Sequence, residues 1–201
     1  EVPFFIWLMV GLIPWLFLSS AIVQGANSIY TKVSLVAKMK FPVSVLPTIS
    51  IIGNAFGFVF MLIFLVILLF IYQVNPGIYM IQLIYYLICV FVFLFAVSLL
   101  LSTISTIIRD FQMLISSFIR MGLYLSGVLW DINSLPEIYV NILKLNPLYY
   151  LIDGFRKTFL YHEWFFIDWV YMSYFWILTL LILFSGALIH NKFRKQFVDY
   201  I

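Results

Sequence analysis

"STISTIIRDFQML" (Ser102–Leu114) sets an arginine and an aspartate, Arg109 and Asp110, side by side between two long apolar runs. Only 9% of the 201 residues are charged, while 65% are hydrophobic and 20% aromatic. A soluble domain carries about 25% charged and roughly 45–50% apolar residues, so the surplus here must face lipid. The charged pair therefore marks a polar turn between two stretches that enter the membrane. Further continuous apolar runs lie on both sides of it, and several reach the ~20 residues that cross a hydrocarbon core of about 30 Å. They predict an all-α polytopic membrane protein. A β-barrel would show short alternating segments instead.

Five spans are expected, at about 4–23, 49–72, 78–108, 113–130 and 169–189. Between them, residues 24–42 carry Lys32, Lys38 and Lys40 and no acid. The segment 131–168 holds three basic residues against five acids, Asp131, Glu137, Asp153, Glu163 and Asp168. The tail 190–201 has Lys192, Arg194 and Lys195 against Asp199. Positive loops stay in the cytoplasm, so the lysine loop, the Arg109 turn and the C-terminal tail are all expected there. That alternation puts Glu1 outside, from which one further upstream span, six in all, is expected. Trp7, Trp15, Trp130, Trp164 and Trp169 fall mostly near span ends, as interfacial belts require. Gly53 and Gly57 form a G-x-x-x-G in the second span, a spacing that lets helices approach closely within or between subunits. The net charge of +3 is too small to point to nucleic acid, and the single Cys89 excludes an internal disulfide or a cysteine metal site.

In the lysine loop, Ile29, Val33 and Val36 fall at helical spacing with Lys32 on another face, which fits a short amphipathic helix on the membrane surface. Two readings stay open for it, a basic loop against anionic lipid or a docking element. In the outer segment, Ser134–Glu137 ("SLPE") fits a capping box with proline near the helix start. Asn146-Pro147 breaks that helix. Leu148, Leu151, Ile152, Phe155 and Phe159 then share one helical face, with Asp153, Arg156 and Lys157 elsewhere on the wheel. Two amphipathic outer helices that dip into the membrane are therefore expected.

Arg120 lies within the fourth span. An arginine near a helix centre costs roughly 2.5–3.5 kcal/mol, so it either snorkels, pairs, or faces a polar path where it meets phosphate. Catalytic patterns are sparse. His162-Glu163 and His190 belong to opposite sides of the predicted membrane, and no H-E-x-x-H, nucleophile elbow or phosphate-cradling glycine loop is present. No intramembrane acid offers a proton relay, so transport by this chain would need a partner as its engine.

Five stretches together resemble the type-2 ABC exporter permeases, and among them the teichoic acid export permeases. They are Val2–Trp15, Val36–Pro47, Ser105–Leu114, Leu143–Leu160 with Asn146, Pro147 and Arg156, and the basic tail His190–Ile201. The resemblance covers essentially the whole chain, 1–201, as one transmembrane domain. It implies a homodimer with two cytoplasmic ATP-binding subunits, which hold ATP and Mg; this chain holds no cofactor or metal and is no enzyme. It implies export of lipid-linked wall teichoic acid through the plasma membrane of a Gram-positive bacterium. Lys32, Lys38, Lys40, Arg109 and Asp110 would take up ATPase motion, and Trp15, Arg120, Tyr124 and Trp130 would line the polymer's path. Another polysaccharide such as O-antigen or capsule, or a small hydrophobic compound, is an alternative cargo. A membrane scaffold or a glycolipid transferase is the alternative from another class. Ser126-Gly127-Val128 stands where the family often has Ser-Pro-Ile, which leaves the geometry at that end of the fourth span open.

Overall fold

A computed structural model describes residues 3–32, 43–108 and 110–193. The described residues form helices joined by short turns, without strands. In chain order the helices are α1 (Phe4–Ala26), α2 (Val45–Ile71), α3 (Leu83–Ile107), α4 (Phe111–Leu125), α5 (Glu137–Lys144), α6 (Pro147–Arg156) and α7 (Trp169–Phe193). A tight helical turn, Gly77–Gln82, leads into α3, and a wider π turn, Lys157–Tyr161, extends α6. One end of the bundle carries Lys32 and Asp110, hereafter the lysine end; the other carries residues 126–168, the loop end.

Among the described residues, four stretches are long and apolar enough to cross a membrane: Phe4–Ala26, Val45–Ile71, Gly77–Ile107 and Trp169–Phe193. Compared with the expected spans, α1, α2 and α7 run a few residues further at the lysine end. The expected fourth span is the exception. It does not reach Trp130, because α4 stops at Leu125 after 15 residues, about 22 Å at 1.5 Å per residue. The helix leaves its path at Ser126-Gly127, where Gly127 takes φ +61°. Glycine has no Cβ to clash there, and a proline ring, fixed near −65°, is barred. The departure from Ser-Pro thus produces a break of another shape.

The capping box expected at Ser134 is not formed. Ser134 Oγ donates back to the Asp131 carbonyl at 2.7 Å, and α5 starts after Pro136 without a side-chain cap. Asp131 caps the preceding turn instead, accepting from the Asn133 amide at 2.9 Å. The two loop helices also differ more than their patterns predict. None of α5's residues is buried, whereas α6 buries Tyr149 through Ile152 and Gly154 through Arg156 within the bundle. Arg156, read as part of a polar face, is only 3% exposed.

Helix α1 is central, packed against α2, α3, α4 and α6, and α3 packs in turn against α7. Close approach rests on small residues: Gly25 meets Ser98, and a methyl added at Gly186 would lie 3.2 Å from Leu100. By contrast, nothing lies within 4 Å of a methyl added at Gly53 or Gly57, so the G-x-x-x-G makes no contact within the described chain. Phe56, Phe60, Phe64 and Phe70 of α2 and Leu181 and Phe184 of α7 face outward. Apolar surface on that scale marks contact with lipid or protein rather than water.

Candidate functional site

Two features of α4 and its break stand out. Gln112, Ser116, Arg120 and Tyr124 recur every four residues, so they form one ridge along the helix. The opposite side buries Ile115 and Gly122. The ridge spans about 18 Å at 1.5 Å per residue, starting near the lysine end. Its first half, with Ser117 and Asn27 from the end of α1, lines an open cavity of about 460 Å³. Arg120 is exposed, and its Nε donates to the Ser116 carbonyl at 3.2 Å, leaving the rest of the guanidinium directed elsewhere. Tyr124 is 61% exposed, and its carbonyl accepts from Trp130 Nε1 at 3.0 Å, so the indole continues the ridge toward the loop end. A guanidinium, amide and hydroxyls on one row, half-buried at Gln112 and Ser116 and exposed at Arg120 and Tyr124, suit anionic and hydroxyl-bearing groups. Such a row is costly against lipid and calls for a wet or protein-lined neighbour.

Trp15, expected on the path, lies beneath it. Its ring is 4% exposed and packs with Val128 and Ile152, and a methyl added at Gly122 would come within 2.8 Å of it. It supports α4 from the α1 side.

The second feature is the break itself. Asn146 Nδ2 donates to Ser126 Oγ at 2.9 Å, and its Oδ1 accepts from the Leu148 amide, capping α6. Pro147 at the first helical turn needs no amide partner there. Arg156, one helix later, donates to the carbonyls of Gly127 at 2.7 Å and Val128 at 3.0 Å, with its Cζ 3.5 Å from the centre of the Trp7 ring. Gly11 makes room for it, since a methyl there would sit 2.7 Å from Nη2. Asn146, Pro147 and Arg156 are thereby brought together around Ser126–Val128. Trp7, Gly11 and Gly127 were not singled out as Arg156's partners from sequence; the nearest signal was the unusual Ser126-Gly127.

Beside it, a cavity of about 560 Å³ is lined by Asp131, Asp153, Glu163 and Asp168 with Lys144 and Lys157. Lys157 pairs with Asp153 at 3.2 Å and approaches Glu163 at 3.9 Å. Burial still pushes the Asp153 carboxyl above its ordinary range, against the pull of Lys157. His162 Nε2 sits 2.9 Å from the Asn75 carbonyl and Tyr79 packs edge-on against its ring. This histidine braces two loops. Gln82, which no sequence pattern marked, is buried and ties the same region by accepting from Phe165 N and donating to the Glu163 carbonyl. Among the described residues no group of three or more potential ligands could hold a metal.

At the lysine end, Ile29 is buried against Leu46, Val43 and Phe193 in a helical stretch over 28–32, with Lys32 half-buried at its end. Asp110 is exposed at the start of α4. Lys38, Lys40 and Arg109 lie outside the described residues.

The description of the ABC-2 type transporter family matches residues 1–160. The O-antigen export system permease protein RfbA of Myxococcus xanthus is 25% identical over 163 residues, covering 80% of this chain and 62% of that protein. A protein of the same name from Klebsiella pneumoniae is 25% identical over 199 residues, 98% of this chain and 75% of its own length. The chain thus spans about three fifths to three quarters of the length of these relatives. With the family match extending over most of a four-span helical bundle, the chain belongs to the ABC-2 type transporter family.

Proposed function

We propose that this chain is the transmembrane subunit of an ATP-driven exporter of a lipid-linked polysaccharide, and that the α4 ridge faces the polymer. The observation that carries the reading is the polar row Gln112–Ser116–Arg120–Tyr124, half-buried at Gln112 and Ser116 and exposed at Arg120 and Tyr124, on a helix packed into a membrane bundle. A second copy of the chain laid against α4 would close a path around that row and remove it from lipid. Arg120 then meets phosphate or acidic groups of the cargo, and Tyr124 and Trp130 meet sugar faces. Trp15 shapes the path from beneath.

The names of the relatives support an O-antigen-like polymer as the cargo. Wall teichoic acid is the second reading, favoured by the likeness of Val36–Pro47 and of the tail to that branch. In either case the basic segments support a cytoplasmic lysine end, with this subunit in the plasma membrane. There Lys32, Lys38, Lys40, Arg109 and Asp110 receive the motion of two ATP-binding subunits, which hold Mg-ATP. This chain contributes the path and no catalytic group.

The test is co-purification of the full-length permease with ATP-binding subunits of the same cell, followed by ATP turnover with and without lipid-linked polymer. A stoichiometric complex with polymer-dependent turnover is expected. A permease that purifies alone, with no polymer response, overturns the reading in favour of a scaffold. Arg120→Ala should keep the complex and lower export by roughly ten- to a hundredfold, the loss of one or two hydrogen bonds to a charged group; unchanged export removes Arg120 from the path.

A further inference from the structure

Arg156 carries an unusual electrostatic load. It is almost fully buried, yet among the described residues no carboxylate forms an ion pair with it. Two backbone carbonyls and the Trp7 face hold its terminal nitrogens and carbon, and its Nε–H has no partner. Neutral acceptors do not cancel a buried charge, and an unmet buried donor adds its own desolvation cost. A better partner is close in the chain. Asp131 follows Val128 by three residues on the same segment, is exposed, and receives only the two N–H groups of Asn133 on Oδ1. Asp153, the other nearby acid, is occupied by Lys157.

Arg156 joins three separate elements at the loop end. Its own helix α6 is anchored to the bundle through buried tyrosines and Phe155. Helix α1 receives the guanidinium at Gly11 and Trp7. The segment after α4 is held at Gly127 and Val128. Helix α4 itself buries only Ile115 and Gly122, so its loop end is held by the carbonyl pair together with the Asn146–Ser126 bond and the packing of Val128 on Trp15 and Ile152.

We propose that Arg156 is the latch of a gate at the loop end, holding the break after α4 against α1 when closed and passing to the Asp131 carboxylate when the break is released. The exchange trades two neutral acceptors for a charged one, so release is not opposed by a bare buried cation. It is a positioning role, and it rests on the export reading for its purpose but not for its geometry.

The test reads accessibility, not transport. A reporter cysteine is introduced as Val128→Cys in a Cys89→Ala background of the full-length permease, assembled with its ATP-binding subunit in nanodiscs. Val128 is fully buried in the latched state, so an impermeant maleimide should label it slowly without nucleotide and faster with ATP. Arg156→Lys, which keeps the charge but loses the forked geometry, should raise the resting rate by roughly ten- to a hundredfold. Gly11→Ala should do the same from another helix, because the added methyl displaces the guanidinium while favouring the α1 helix itself. Asp131→Asn should leave the resting rate unchanged and abolish the ATP-driven rise. If both Arg156→Lys and Gly11→Ala give monodisperse complexes labelled at the parent rate, the latch is refuted. If Asp131→Asn retains the full ATP-driven rise, the exchange is refuted. Labelling needs no polymer, so predicted rates in a complex that exports nothing would sink the export reading alone.

Discussion

Replacing Asn54 by leucine removes the polar joint between α1 and α2. Ser20 Oγ donates to Asn54 Oδ1 at 2.6 Å, Gln24 Nε2 donates to the same oxygen at 3.1 Å, and Asn54 Nδ2 donates to Gln24 Oε1 at 3.0 Å. A fourth bond, from Nδ2 to the Ser50 carbonyl at 2.8 Å, stays within α2. Of the four bonds, only the three interhelical ones join α1 to α2, beside their apolar packing. Such bonds in membranes are worth about 0.6 kcal/mol on average and about 1.7 at most, which gives roughly 2 kcal/mol for the three and an upper bound near 5. Ser20 and Gln24 keep one bond to each other at 2.9 Å, which argues for the lower figure. The assay is reversible unfolding in mixed micelles, with Gln24→Leu and the double variant completing a cycle. Asn54→Leu should destabilise by about 2 kcal/mol and couple to Gln24 by about 1 kcal/mol. A loss below about 0.5 kcal/mol, or additive effects at Gln24 and Asn54, would refute the joint.

Other substitutions probe separate parts of the structure. Gly122→Leu drives a side chain into the Trp15 ring and should cost about 1–3 kcal/mol, seen as a lowered melting temperature; an unchanged one would mean α4 does not rest on Trp15. Gly53→Ala and Gly57→Ala meet nothing in this chain and should each raise stability by up to about 1 kcal/mol; a clear loss would reveal contact with another subunit. The half-buried Asp153 gives a signed pH dependence. Its folded pKa is raised above the ordinary 3.8, so its contribution is full below that value and declines as pH rises through the folded pKa. Asp153→Asn, which mimics the protonated form, should flatten the fall of the melting temperature as pH rises above the ordinary carboxyl range; an unchanged slope would clear Asp153 of that dependence.

Much of the architecture is legible in the chain because lipid is a demanding solvent. A stretch that crosses it must be apolar for ~20 residues and satisfy its own backbone, so α1, α2, α3 and α7 announce themselves by length alone. The turn into α4 at Asp110 follows from the polar residues that interrupt the apolar run there. The break in α4 could not be read this way. Residues 126–130 contain Val128, Leu129 and Trp130 and look as apolar inside a helix as beyond its end; what stops the helix is Gly127 at φ +61°.

Side-chain partners across the bundle belong to the tertiary structure. A helical wheel puts Arg156 with Asp153 and Lys157 because it knows only angle, and it sees nothing of the Gly127 and Val128 carbonyls that arrive from another segment. The G-x-x-x-G at Gly53 and Gly57 has the spacing of a contact but faces away from this chain, while Gly11, Gly25 and Gly122, without a motif, make the close approaches. Trp15 and Arg120 illustrate the same division. Both look functional as residue types, yet the fold buries one beneath α4 and exposes the other along it. The sequence by itself determined which segments enter the membrane, because that depends on solvent transfer summed along the chain. Only the tertiary structure decided which polar groups meet, because that depends on how separate segments are superposed in space.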